Sequence, residues 1–320
     1  MTPSNQDTIN LAKSLLQCLL ARQDLSAQQS QQMLAAMISG ELPPEWLAAL
    51  LIALEAKGVA EQEILGAAKA MRDAMVSVQI ADKTHSVDTC GTGGDDAGTF
   101  NVSTASALVA AAAGAKVAKH GNRSVSSASG SADLLVQAGA KLELTADQVR
   151  DTIAQVGFGF MFAPMFHPAM KHVAPVRRSL GVKTLFNLLG PLANPARVVN
   201  QVIGVYQADL LPLFASVLAE LGSQHVLLVH AEDGLDEISI AAPTKVVELK
   251  DGAMQSFQIK PEDFGFSSCA LAQIRVKKNA EQSLALVRSA LLLASLLILL
   301  NLNLLTITLG FFRVLRWIFL

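Results

Sequence analysis

The stretch DTCGTGGDDAGTFNVST, residues 88–104, decides the fold. It completes a short β-like run, HSVDTC (residues 85–90), passes glycines at 91, 93, 94 and 98, and enters the Ala-rich helical run ASALVAAAAG (residues 105–114). Glycines let a backbone approach an anion closely, and a helix start offers unpaired N–H groups to phosphate oxygens. The joint is therefore either a phosphate cradle or a plain tight turn. It fits neither the Walker spacing nor the dinucleotide fingerprint, because no Gly-Lys-Ser/Thr follows and the glycines fall at other intervals. Downstream the texture repeats: AKVAKHGNRS (residues 115–124) is another strand-to-joint passage, and QVIGVY and HVLLVH flank the helical DLLPLFASVLAEL. This alternation predicts an α/β fold with a central, mostly parallel sheet covered by helices.

Upstream of about Val78 the pattern is purely helical. Ser26 can cap SAQQSQQMLAAMIS, whose Met33, Leu34, Met37 and Ile38 recur at helical spacing before Gly40 stops the run. PPEWLAALLIALEAKG starts on prolines and stops at Gly58, and a further helix runs from about Glu61 to Met75. The expected organisation is a helical domain over residues 1–77, joined by about 166–190, and an α/β domain over 78–165 and 191–283, with an apolar tail over 284–320.

The 320 residues carry 25 Lys+Arg against 27 Asp+Glu, a formal net charge of −2, and 51% are hydrophobic. That excludes a disordered chain and argues against a dedicated nucleic-acid binder, which needs clustered basic residues. Cys18, Cys90 and Cys269 are far apart and odd in number, so they make neither a disulfide framework nor a zinc spacing. With no signal-peptide pattern at the N-terminus, a cytoplasmic location is expected.

Three more segments carry candidate chemistry. In KHGNRSVSSASGSAD (residues 119–133), Lys119 and Arg123 supply charge, Asn122 a donor and acceptor, and Ser124, Ser126, Ser127 and Ser131 hydroxyls. This suits a phosphorylated sugar, or is simply a polar surface loop. In HAEDGLDEIS (residues 230–239), Asp236 and Glu237, with Asp233 nearby, offer hard oxygens of the kind Mg²⁺ uses beside substrate phosphates; acidic pairs on loops are also commonly just solvated. In HPAMKHVAPVRRSLG (residues 167–181), His167, Lys171, His172, Arg177 and Arg178 gather positive charge on a helical stretch. An Arg there can hold a carboxylate, or the face is merely solvent-exposed.

Taken together, the succession DTCGTGGDDAGTFNVST, AKHGNRSVSSASGSADLLVQAG, FAPMFHPAMKHVAPVRRSLGVKTLFNLLGPLANPA and HAEDGLDEIS resembles the anthranilate phosphoribosyltransferase family of tryptophan biosynthesis, in order and spacing, over about Asp7 to Ala280. The resemblance implies a small all-helical domain plus a larger α/β domain with a central, mostly parallel sheet, of the nucleoside phosphorylase/phosphoribosyltransferase class, and a homodimer through the helical domains. It implies displacement of pyrophosphate from 5-phosphoribosyl 1-diphosphate by the amine of anthranilate, with Mg²⁺. Phosphoribosyl diphosphate would then meet Gly91, Gly94, Asp95, Thr99, Asn101, Val102, Ser103, Thr104, Lys119, His120, Gly121, Asn122, Arg123, Ser124, Val125, Ser126, Ser127 and Ser131. Anthranilate would meet Gly91, Asn122 and Arg177, and Mg²⁺ would meet Ser103, Asp236 and Glu237; no residue acts as a nucleophile. Pyrimidine nucleoside phosphorylases carry KHSTGG where this chain has KHGNR, and a nucleic-acid-binding branch of the family needs a basic surface that a pI near 6.3 does not give.

The resemblance stops at about Ser283. From Ser289 to Phe312 no residue is charged, a run long enough to span a bilayer. The expected explanation is a reading-frame change that appends a Leu-rich tail, leaving an inactive or poorly folded relative as the alternative to an active enzyme. A membrane anchor followed by Arg313 and Arg316, or a buried variant terminus, are the other readings.

Overall fold

The computed structural model describes residues 5–81, 83, 85–94, 98–123, 129–276 and 280–299. Four helices come first: α1 (Asn5–Leu20), α2 (Ala27–Ser39), α3 (Pro44–Lys57) and α4 (Glu61–Ala74). Their boundaries follow from local chemistry. Ser26 and Gln29 form a reciprocal capping box at the start of α2, Gly40 ends it in the left-handed region at φ 85°, and Pro44 begins α3 where a missing N–H costs nothing. Leu34, Leu50, Leu51, Leu54 and Ile64 are wholly buried between them. At roughly 2 kcal/mol for each such side chain, this burial is what holds short helices together. Glu63, fully buried in α4, accepts the N–H groups of Leu25 (2.9 Å) and Ala60 (2.8 Å) and pairs with Lys57 Nζ at 3.0 Å, so its charge is not stranded.

The α/β part follows in order as β1 (Ser86–Gly91), α5 (Val102–Ala112), β2 (Lys116–Gly121), α6 (Ser131–Gln137), α7 (Ala146–Val156), β3 (Phe158–Phe162) and α8 (Ala163–Phe166). After a connector bearing α9 (Ala174–Leu180) and α10 (Phe186–Leu189) come β4 (Asn200–Gly204), α11 (Leu211–Glu220), β5 (His225–Ala231), β6 (Thr244–Lys250), β7 (Ala253–Ile259) and α12 (Ala280–Leu299). The seven strands form one sheet in the order β3-β2-β1-β4-β5-β6-β7, parallel from β3 to β5 and antiparallel beyond. The chain leaves β1 toward β2 and β3, then returns to place β4 on the other side of β1. That reversal makes the carboxyl ends of β1 and β4 the switch point where an open α/β sheet binds its ligand.

The helical stretch expected over residues 167–181 is present in two pieces. Pro168 and Pro175 divide it into a 3₁₀ turn, Pro168–His172, and α9. Each proline starts a new segment because it cannot donate to the preceding turn. Val173 and Val176 then pack with the helical bundle, while Leu188 and Leu189 extend the same apolar cluster to β4, β5 and α11. Arg72 of α4 fixes the two parts further, donating to the carbonyls of Leu192 (2.7 Å) and Leu221 (3.2 Å).

The described start of the tail is ordered structure. Leu284 and Val287 of α12 are buried against Ala105 and Leu134. No helix among the described residues is long and apolar enough to cross a membrane. The remainder of the tail, residues 300–320, lies outside the described residues.

Candidate functional site

Gly91 ends β1 beside Gly204, the last residue of β4. Gly204 has no room for a side chain, and one on Gly91 would displace the Asp236 carboxylate. A Cβ on Gly204 would fall 1.6 Å from the carbonyl oxygen of Asp236, and one on Gly91 would fall 2.9 Å from Asp236 Oδ2. The two glycines thus let the turn after β5 lie directly over the switch point, where the Asp236 carboxylate accepts the N–H of Gly93 at 3.0 Å. Thr92 is held by its N–H to the Gly204 carbonyl (2.9 Å), and its hydroxyl accepts the N–H of Tyr206 (3.0 Å).

The far side of this loop is braced from a distance. Thr99 bridges Arg275, Phe100 donates to the Ile274 carbonyl at 3.1 Å, and Gly98 accepts from Val276 at 2.8 Å. Asn101, at the start of α5, donates its N–H to Ser283 Oγ (3.0 Å), and that hydroxyl donates to Asn101 Oδ1 (2.7 Å). Asn101 Nδ2 also reaches the Ser129 carbonyl at 2.8 Å, so one side chain ties the glycine loop to the Ser-rich loop after β2. The two expected cradles are neighbours.

Beneath the loop lies Lys119, only 2% exposed, with its ammonium on the Thr89 carbonyl and 3.2 Å from Ser103 Oγ. Its charge therefore faces the floor of the site and orients the Ser103 hydroxyl. Asp88 is buried close by. Burial pushes its carboxyl up, against the opposing pull of Lys119, the 2.7 Å bond from Asn194 Nδ2 and the His120 N–H. Thr104 is wholly buried behind Ser103, and Val102 and Ser103 line a cavity of about 260 Å³ that also contacts Thr89, Cys90, Gly204 and Glu237.

In the second loop, Gly121 has no room for a side chain because Ser131 Oγ lies 2.2 Å from its Cβ position. The Asn122 carbonyl accepts from Ala132 (3.2 Å) and Ser131 Oγ (3.5 Å), and Arg123 pairs with Asp133 at 3.2 Å. Asp95, Ser124, Val125, Ser126 and Ser127 lie outside the described residues.

His120 and His167 face each other with ring centroids 4.9 Å apart. Burial, then the His167 ring, lowers His120 to about 3, and burial lowers His167 to about 4, so both are neutral near pH 7. Both Nε2 atoms are buried and lack a protein hydrogen-bond partner among the described residues. Arg177 projects from α9 with its guanidinium 5.2 Å from the Phe186 ring centroid; burial lowers its pKa.

The donor set expected for a divalent ion is Ser103, Asp236 and Glu237. Asp233 is engaged otherwise: its carboxylate accepts Ser239 Oγ at 2.7 Å and the Leu235 N–H at 3.4 Å. No group of three or more His, Cys, Asp or Glu able to hold a metal occurs among the described residues. Two carboxylates and a hydroxyl suit Mg²⁺ that completes its shell with water and substrate phosphates, rather than a resident all-protein site.

Comparison with known proteins bears on this geometry. Residues 83–305 match the model "Glycosyl transferase family, a/b domain", and residues 13–75 match "Glycosyl transferase family, helical bundle domain". The a/b match runs past Ser283. The chain is 53% identical over 279 residues to anthranilate phosphoribosyltransferase of Hydrogenovibrio crunogenus, covering 87% of this chain and 82% of that one. It is likewise 53% identical over 279 residues to the Cellvibrio japonicus enzyme of the same name, covering 87% and 81%. Among solved structures, anthranilate phosphoribosyltransferase from Thermus thermophilus superposes with a TM-score of 0.80 at 41% identity, over 86% of this chain and 81% of that one. The Saccharomyces cerevisiae enzyme in complex with PRPP and Mg gives 0.79 at 29% identity, over 89% and 81%.

Proposed function

Since this chain belongs to the anthranilate phosphoribosyltransferase family and is a pentosyltransferase of tryptophan biosynthesis, we propose how its own residues divide the transfer of the phosphoribosyl group from 5-phosphoribosyl 1-diphosphate to the amine of anthranilate. The observation that carries the reading is the switch point itself: two anion-accepting loops joined by Asn101 and capped by Asp236. A cohesive helical bundle, sheet and α12 weigh against the alternative of a poorly folded relative.

Breaking the bond from C1 of the ribose to pyrophosphate leaves positive charge on the sugar and negative charge on the leaving group. The catalytic task is to stabilise that separation and hold the amine in line. The glycine loop after β1 and the α5 N-terminus receive the diphosphate, with Thr99, Asn101, Val102, Ser103 and Thr104 beside it. Lys119 sets the floor of the site and orients Ser103. His120, Gly121, Asn122, Arg123 and Ser131, with the serines between them, receive the 5-phosphoribosyl end. Mg²⁺, when bound by Ser103, Asp236 and Glu237, supplies charge that neutralises the departing diphosphate. Arg177 holds the anthranilate carboxylate, with Gly91 and Asn122 against the ring. The released proton goes with pyrophosphate or to water, and no covalent enzyme intermediate is needed.

Exposed Leu20 (69%) and Ile52 (40%) on the helical bundle support a homodimer through that domain. Charged, phosphorylated substrates accord with a cytoplasmic site of action. The a/b match continues to residue 305, so the departure expected after Ser283 is narrowed to the apolar end of the chain; it is read as a reading-frame change, which translation of the gene in its other frames tests directly. For the activity, anthranilate fluorescence is followed after adding 5-phosphoribosyl 1-diphosphate and Mg²⁺ to the purified chain. Loss of fluorescence that stops on chelation is expected; a steady signal with folded protein overturns the proposal.

A further inference from the structure

We propose that Lys183 is a positioning residue that latches the diphosphate cradle to the connector carrying Arg177. It lies between α9 and α10, two residues past the basic segment 167–181, at a position to which the sequence assigns no chemistry, yet its ammonium makes two directed contacts beside the glycine loop. Nζ donates to the Gly94 carbonyl at 3.1 Å and sits 3.8 Å from the Tyr206 ring centroid. The Lys183 stem also packs on Gly94, whose Cβ position lies 3.1 Å from Cε and 3.2 Å from Nζ. Gly94 has φ +84°, so its backbone conformation disfavours any other residue, and a side chain there would press on the Lys183 stem.

Tyr206 belongs to the same assembly. Its N–H donates to Thr92 Oγ1 at 3.0 Å, and its ring, just beyond the end of β4, is the platform beneath the ammonium. The Thr92–Gly94 turn is thereby held on one side by Asp236, through the Gly93 N–H, and on the other by Lys183, through the Gly94 carbonyl. A loop already fixed in its binding geometry does not have to be ordered when the ligand arrives, so the latch acts on affinity. Because Lys183 shares a short segment with Arg177, it also sets the cradle at a fixed distance from the acceptor-binding helix.

The role in the reaction rests on the assignment of residues 91–104 to diphosphate binding; the latch itself does not, and two readouts separate them. The first is amide hydrogen exchange at Thr92, Gly93 and Gly94 in the ligand-free protein, for the parent chain, Lys183→Gln, Lys183→Arg and Tyr206→Leu. Lys183→Gln and Tyr206→Leu should accelerate exchange there while leaving Val87 and Asp88 of β1 unchanged, and Lys183→Arg should restore protection. The second is steady-state kinetics: Lys183→Gln should raise KM for 5-phosphoribosyl 1-diphosphate about tenfold with kcat within about twofold, and Lys183→Arg should recover most of it. Unchanged exchange in Lys183→Gln overturns the proposal, whether or not KM moves, since a KM effect alone would mean direct contact with substrate. Accelerated exchange in a chain that never consumes anthranilate would uphold the latch and refute the functional reading.

Discussion

Replacing Gly204 with Ala places one methyl group where the structure has no space. Its Cβ would lie 1.6 Å from the Asp236 carbonyl oxygen, and 2.7 Å from the carbonyl carbon. Ordinary contact begins at 3.4 Å, so the turn bearing Asp236 and Glu237 has to retreat by about 1.8 Å. The obstacle is backbone and cannot rotate away. Misplacing a reacting group by about 1 Å can cost about 10²-fold, so kcat/KM should fall at least that far, about 2.7 kcal/mol of transition-state stabilisation. Overpacking at this site should also destabilise the fold by about 1–3 kcal/mol. Val226→Ala, at the opposite end of β5, serves as the control: Val226 is wholly buried, and truncating it costs stability of similar order without touching the turn. The assay is anthranilate consumption across a Mg²⁺ titration, with thermal melts of both variants. The geometric reasoning is refuted if Gly204→Ala keeps activity within threefold of the parent and the same Mg²⁺ midpoint.

Arg177→Ala should raise KM for anthranilate far more than KM for 5-phosphoribosyl 1-diphosphate; equal changes in the two, read from paired substrate titrations, would remove Arg177 from the acceptor site. Ser283→Ala leaves the part-buried Asn101 N–H without its acceptor and should cost about 1 kcal/mol in urea unfolding, whereas an unchanged midpoint would mean that water replaces the hydroxyl. His120 and His167 titrate near 3 and 4 in the folded chain against 6.5 in an unfolded one. The unfolded state therefore binds more protons below pH 6.5: their contribution is complete above that pH and is lost as pH falls toward 4, with a slope of up to about 2.7 kcal/mol per pH unit. Urea midpoints from pH 4.5 to 7 should show this slope flattened in His120→Asn/His167→Asn, and equal slopes would contradict the assignment.

Much of this was legible because local signals and tertiary structure agree. Ser26, Gly40, Pro44 and Gly58 mark helix ends by their own chemistry, and β1 and β2 each stop at the glycine joint that betrays them. The sequence reading passed over β6 and β7. AMQSFQI is an edge strand exposed over most of its length, so it offers no strong apolar alternation, and its register comes from pairing with β6. In the site, residue types were readable but directions were not. Lys119 looks like a loop cation, yet its ammonium lies on the Thr89 carbonyl because Lys119 belongs to the buried part of β2. Ser283 carried no signal at all: its partner Asn101 stands 182 residues away. Lys183 was similarly silent, since nothing in GVKTLFN announces a contact with Gly94.

The bracing of residues 98–101 by residues 274–276 and 283 sets an order of events during synthesis. At about 5–20 residues per second, roughly 9–36 s separate the emergence of residue 101 from that of residue 283. Throughout that interval the nascent chain can assemble its helical bundle and pair β3 with β2, β2 with β1 and β1 with β4, but its glycine loop has no outer wall. The ribosome thus delivers the binding site last, and a nascent chain arrested before residue 274 would carry nearly all the ligand-facing residues without the clasp that shapes them.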